Sequence, residues 1–178
     1  MDAVRVGLDS VRAELAALGR PVVGLLEPGL DADTVRAALG EDVPPQLVSW
    51  FGWAGGTREE PEQLVDEASF IPGYVFVSLA EALEFREEVE LEQPDDVRWL
   101  PLLVSPAADF YAAVWDGTEI QVASFVQGAE EPMIYETVPL LLRTITESFR
   151  TGAFDVDDDG YFDMHPELCD RVYEALNS

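Results

Sequence analysis

The chain of 178 residues carries 36 Asp and Glu against 10 basic residues, every one of them arginine, for a formal charge of −26. A surface this acidic repels phosphate backbones and anionic leaflets, which argues against nucleic-acid binding and against peripheral membrane binding. With 48% hydrophobic and 10% aromatic residues, a chain of this length can build a core, so global disorder is not expected.

The N-terminal stretch predicts a helix. Val4, Leu8, Val11, Leu15 and Leu18 recur at four- and three-residue steps and share one stripe, and Gly19 suits the C-terminal cap. After the apolar run Val22–Leu26, Asp31 or Asp33 can cap a short helix that runs through Leu39 and is closed by Gly40. Pro44-Pro45 sits where a helix begins; Leu47, Val48, Trp50 and Phe51 follow until Gly55-Gly56 stops it. Residues 74–78 read as a strand and residues 78–91 as an amphipathic helix. On its wheel Leu79, Ala82, Leu83, Phe85 and Val89 oppose Glu81, Glu84, Glu87 and Glu88.

Three β-rich segments follow at 97–104, 109–115 and 119–127. Pro101 makes the first an edge strand or a bulged one, because it brings no N–H to a ladder. Asp116-Gly117 signals a hairpin between the other two. A helix at 137–150 aligns Val138, Leu141, Leu142, Ile145 and Phe149, and Pro166 opens a last helix carrying Leu168, Val172 and Leu176. With no repeat and no Ser/Gly-rich linker, residues 1–178 read as a single α+β domain: a mainly antiparallel sheet flanked by N-terminal and C-terminal helices.

One cysteine, Cys169, excludes an intramolecular disulfide and fits a reducing compartment. The start Met1–Arg5 lacks the basic and apolar regions of a signal peptide, and runs such as Val138–Leu142 are far short of the roughly 20 residues a membrane-spanning helix needs. The expected location is cytoplasmic.

Candidate chemistry is sparse. Asp155, Asp157, Asp159 and Gly160 match positions 1, 3, 5 and 6 of an EF-hand calcium loop, with Asp163 at position 9. Position 12 needs a bidentate carboxylate but is Pro166, and Thr151-Gly152 interrupts the incoming helix. An acidic hairpin turn at Asp159-Gly160, with Val156, Tyr161 and Phe162 pairing beside it, accounts for the same residues, and calcium binding is the alternative. His165 and Cys169, four apart, could form a nucleophilic pair. His165 precedes Pro166, which points to a cap position, and Cys169 shares the buried side with Leu168 and Val172. No Gly-x-Ser-x-Gly elbow is present, and Gly52, Gly55 and Gly56 read as a helix cap with no Lys-Ser/Thr to make a phosphate cradle. No catalytic set and no cofactor are expected.

The glutamate face of residues 78–91 continues into Glu90, Glu92, Asp95 and Asp96. Such a run is a solvated face or a docking surface for a basic partner, and in the second reading Glu84, Glu87, Glu88, Asp95 and Asp96 are the contributors. Arg86 falls on the apolar side of the wheel, where it can snorkel or pair with Glu90.

Taken in order, several of these stretches resemble the SUKH superfamily, which includes yeast cell-wall assembly regulators and many bacterial immunity proteins. Residues 43–56 (VPPQLVSWFGWAGG) resemble its Leu-Pro, amphipathic helix and aromatic-Asn-Gly opening, with Gly55 where the family often has Asn. Residues 70–83 (FIPGYVFVSLAEAL) resemble its Pro-Gly-Tyr, strand and Ser-Leu-x-Glu-Ala helix start. Residues 99–117 resemble its Trp-x-Pro strand and Asp-Gly hairpin, and residues 147–160 its closing helix, Thr-Gly-Ala-aromatic step and acidic turn. The resemblance spans about residues 31–165. It implies an α+β fold, no enzymatic activity and a hairpin at Asp155–Gly160. For bacterial members it implies a protein that neutralises a cognate toxin, commonly a nuclease. The expected function is therefore an immunity-type binding module whose partner is a basic toxin domain. The alternatives are a regulatory or scaffold protein of the same fold and a calcium-responsive protein.

Overall fold

A computed structural model describes every residue from Met1 to Ser178 except Thr118. The first helix, α1 (Ala3–Ala17), starts where the Asp2 carboxylate accepts from the amides of Val4 and Arg5. Its stripe buries Val4, Leu8, Val11 and Leu15, each contributing about 1.5–3 kcal/mol through lost apolar exposure. Leu18, expected on the same stripe, is 40% exposed, because the helix has already ended and Leu18 is its C-cap.

A 3₁₀ turn (Pro21–Gly24) leads to strand β1 (Leu26–Pro28), helix α2 (Ala32–Leu39, capped by Asp31) and helix α3 (Pro45–Trp53). Strand β2 (Ala54–Thr57) then pairs antiparallel with β1. This corrects the expectation that Gly52, Gly55 and Gly56 form a helix cap: Gly52 lies within α3, and Gly55 and Gly56 lie in β2. A Cβ on Gly55 would stand 2.5 Å from the Pro28 carbonyl oxygen, so the glycine permits close strand approach.

Helix α4 (Val65–Ala68) precedes strands β3 (Ser69–Ile71) and β4 (Tyr74–Phe76), then helix α5 (Leu79–Glu88), which ends three residues before the expected boundary. Strands β5 (Arg98–Val104), β6 (Phe110–Asp116), β7 (Glu119–Phe125) and β8 (Met133–Tyr135) complete an antiparallel six-stranded sheet in the order β3-β4-β5-β6-β7-β8. The chain closes with helix α6 (Val138–Arg150), hairpin strands β9 (Phe154–Val156) and β10 (Phe162–Met164), and helix α7 (Pro166–Asn177). Helices and an antiparallel sheet segregate along the chain, so the fold is α+β.

Of the two expectations for Pro101, the bulge holds and the edge fails. Strand β5 lies between β4 and β6, and its register shifts between Pro101 and Leu103. That shift lets consecutive Leu102 and Leu103 both enter the core, where an unbroken strand would alternate them.

Helix α6 packs on β7 and β8, α1 packs on α6 and α3, and these helices share the main core with the sheet face that presents Tyr111, Ala113 and Trp115 of β6. Trp50 of α3 stacks on Phe76 of β4 at 4.8 Å. All five expected positions of α6 are buried. In α7 only Val172 is fully buried, while Leu168, Cys169 and Leu176 are half-buried. The opposite face carries a smaller cluster built on Trp99, Phe110, Ala112, Val114 and Ala123. Helix α5 spans both clusters: Leu79, Ala82 and Leu83 join the main core, whereas Phe85 and Val89 cover the smaller one.

Candidate functional site

The second sheet face explains how the acidic stretch is held. Ser78 caps α5 by accepting from the Glu81 amide, and the Glu81 carboxylate accepts from the Ser78 amide in return. Phe85 packs edge-on against Phe110 at 5.1 Å, which turns Glu84, Glu87 and Glu88 outward, all exposed. Val89, Leu91 and Val97 then fasten the returning chain to the same apolar face, and a turn joins the Val97 amide to the Pro94 carbonyl at 2.9 Å. Asp95 and Asp96 lie at that turn and face solvent. Arg86 is half-buried and, among the described residues, forms no ion pair with Glu90.

Beside this turn lies a groove of about 640 Å³. Gln93, Pro94 and Val97 form one wall, and the ends of β6 and β7 form another with Trp115, Asp116 and Glu119. Gln46 of α3 and the Glu136-Thr137 step into α6 complete it. Asp116, Glu119 and Glu136 are exposed, and none has an arginine partner among the described residues. Seven of the ten arginines are engaged elsewhere: Arg5, Arg12, Arg20, Arg36, Arg58, Arg98 and Arg150 each pair with a carboxylate outside the groove.

Arg98 is the nearest in chain terms. Its guanidinium lies 5.3 Å from the Trp115 ring centroid while donating to Asp42 at 2.7 Å and to the Leu39 carbonyl. That hydrogen bond holds the Asp42 carboxyl below its usual range. Trp115 is 2% exposed, and among the described residues neither its indole N–H nor the buried Gln46 side-chain oxygen has a hydrogen-bond partner.

The groove gathers Gln93, Pro94 and Val97 next to the expected Asp95 and Asp96, and adds Asp116 and Glu119 from the β6–β7 hairpin and Glu136 from the approach to α6. Glu84, Glu87 and Glu88 lie outside its lining. The Asp-Gly hairpin signal could have indicated that Asp116 and Glu119 face each other, since they are register partners. Nothing local marks Glu136.

The Asp155–Gly160 stretch is a hairpin turn: β9 pairs with β10, Val156 opposite Phe162 and Asp155 opposite Asp163. Tyr161 precedes β10, and its carbonyl accepts from the Asp157 amide. The carboxylates serve the turn. Asp157 accepts from the amides of Asp159 and Tyr161, at 3.0 and 2.9 Å, Asp163 accepts from the Met164 amide, and Asp155 pairs with the His165 ring at 3.2 Å. Among the described residues no group of three or more His, Cys, Asp or Glu is arranged to hold a metal ion.

His165 is the N-cap residue of α7, and its ring reaches Asp155 on β9. The Cys169 thiol approaches the Ala153 carbonyl at 3.8 Å, and burial, reinforced by Asp170, pushes its pKa up. A reactive thiolate needs the opposite shift.

Among the described residues no helix is long and apolar enough to cross a membrane. No protein-family model matches the chain, and no curated protein matches it in sequence.

Proposed function

We propose that this chain is a non-enzymatic binding module that neutralises a cationic toxin domain, such as a nuclease, by covering its basic surface. The observation that carries the reading is the groove whose exposed acids, Asp116, Glu119 and Glu136, have no cationic partner among the described residues, beside Asp95 and Asp96 on the adjoining turn. Uncompensated charge accelerates encounter with an oppositely charged partner and sets the register of docking. The exposed row Glu84, Glu87 and Glu88 extends the same field along α5. The resemblance to immunity proteins supports the toxin as the partner's class.

The test asks whether a toxin is encoded beside this chain's gene and pairs the two; absence of such a gene favours a regulatory role. Co-expression restores growth, and the purified complex weakens as salt is raised. Replacing Asp95, Asp96, Asp116, Glu119 and Glu136 by Asn or Gln lowers the association rate by at least about tenfold, in the range that electrostatic steering supplies. Tight binding that ignores both salt and these substitutions overturns acidic docking. A bound partner with no toxicity overturns the immunity role and leaves a regulatory scaffold.

A further inference from the structure

A second cavity, of about 130 Å³, lies on the other side of the sheet between β6, β8, α6, α7 and the β9–β10 hairpin. Its walls are largely apolar, with Ile71, Ile145 and Phe154 among them. Four tyrosines run along it in sequence of contact: Tyr74 meets Tyr111 at 5.1 Å, Tyr111 meets Tyr135 at 6.2 Å, and Tyr135 meets Tyr173 at 5.3 Å.

The polar groups of this wall divide into those already used and those still free. The Tyr173 hydroxyl donates to the Ile134 carbonyl at 2.8 Å and accepts from the Ile134 amide, pinning β8. The hydroxyls of Thr144 and Ser148 donate to α6 carbonyls one turn back. Among the described residues the hydroxyls of Tyr111 and Tyr135 make no hydrogen bond to the backbone or to the threonine and serine of this wall, and burial pushes both pKa values up, so they remain neutral donors and acceptors throughout the physiological range. Among the described residues no arginine lines the cavity, and its one charged wall residue is Asp170.

Size, polarity and charge together select a ligand. A dry apolar cavity of about 150 Å³ is large enough to take a benzene-sized molecule. An anion would meet Asp170 and a molecule of charge −26. A cation would need a compensating charge within the apolar wall, since burying an unpaired ion is costly. We propose that this cavity binds a small uncharged phenol, its ring among Ile71, Ile145 and Phe154 and its hydroxyl on the Tyr111–Tyr135 pair. The inference is independent of the docking groove.

Calorimetry on the full chain tests it with three probes: phenol, benzene and benzoate. Phenol binds saturably, benzene about five- to tenfold more weakly for want of one hydrogen bond, and benzoate not at all. Phenol also slows reaction of Cys169, the chain's single thiol and a wall residue, with a small neutral thiol reagent. The double variant Tyr111→Phe with Tyr135→Phe keeps the shape and reduces the phenol preference to parity with benzene. Absence of saturable phenol heat, equal binding of benzoate, unprotected Cys169, or a preference that survives the double variant each overturn the proposal. Thermal melts of the double variant show whether it is folded. Should it not be, the single Tyr135→Phe variant replaces it under the same criteria.

Discussion

Arg20 is the one arginine the fold encloses, at 7% exposure. Its Nη2 donates to the Asp66 carboxylate at 2.8 Å and to the Asp66 carbonyl at 2.6 Å, and its guanidinium lies 4.6 Å from the Phe162 ring centroid. The same Asp66 carboxylate accepts the Phe162 amide. Replacing Arg20 by Met keeps the packed stem and removes hydrogen bonds to a charged group, so stability falls by about 2 kcal/mol. A lower urea midpoint at unchanged slope is the measurement that checks it. Arg20→Lys recovers only part of the loss, because an ammonium lacks the planar fork that stacks and donates at once. None of this was legible in the sequence. Arg20 follows a helix-ending glycine, and its partner lies 46 residues on, with no local pattern linking them.

At the scale of elements, periodicity set what could be read. Helices α1 and α6 show their stripes over three or more turns, and Asp31 and Gly40 bracket α2 as expected. Strands β1, β3 and β8 are three residues each, too short to display a period, and exist because a neighbour pairs with them. The Gly55-Gly56 pair shows the ambiguity best, since a helix stop and a tight strand use the same residue. Its meaning becomes clear from the partner. Gly56 has φ +116°, and a Cβ there would lie 2.7 Å from the Ser78 Cβ and 2.8 Å from the Ser78 amide nitrogen, at the cap of α5. Gly56→Ala combines backbone strain with that overlap and destabilises by roughly 2–3 kcal/mol. Chemical denaturation gives the loss, and increased amide exchange in the first turn of α5 shows where it falls. Unchanged stability contradicts the close approach. The acidic groove was partly legible for the same reason: Asp95 and Asp96 lie in one run and the Asp-Gly hairpin brings Asp116 opposite Glu119, whereas Glu136 joins them only after β7 and β8 pair.

For the molecule as a whole, a charge of −26 makes self-repulsion a global term against compactness. Added salt shortens the Debye length from about 30 Å at ~0.01 M to about 3 Å at ~1 M, so the melting temperature at neutral pH rises with sodium chloride. Acid acts in two stages. Protonating surface carboxylates first relieves repulsion. Further acid removes caps and pairs. The Thr34 amide and hydroxyl lower the pKa of Asp31, the Arg98 guanidinium lowers that of Asp42, and at Asp2 the Ser49 side chain and the amides of Arg5 and Val4 outweigh an opposing effect of burial. A carboxylate with a depressed folded-state value contributes fully above the unfolded value near 3.9 and loses that contribution as pH falls through the folded value. Melting curves therefore hold or rise from pH 7 to about 5 and drop steeply below about 4. A monotonic decline from neutrality contradicts the repulsion term.

The Asp66 contact also bears on the order of events during folding. It joins Arg20 across 46 residues and Phe162 across 96, so its chain must be largely closed before either bond can form. A contact of this kind belongs to the downhill side of the barrier. Losing it speeds the escape from the native state and leaves the approach almost untouched. In a chevron of Arg20→Met, the unfolding limb moves and the refolding limb stays. Asp66 then acts as a late fastener that sets how long the molecule persists, with little say in how fast it forms.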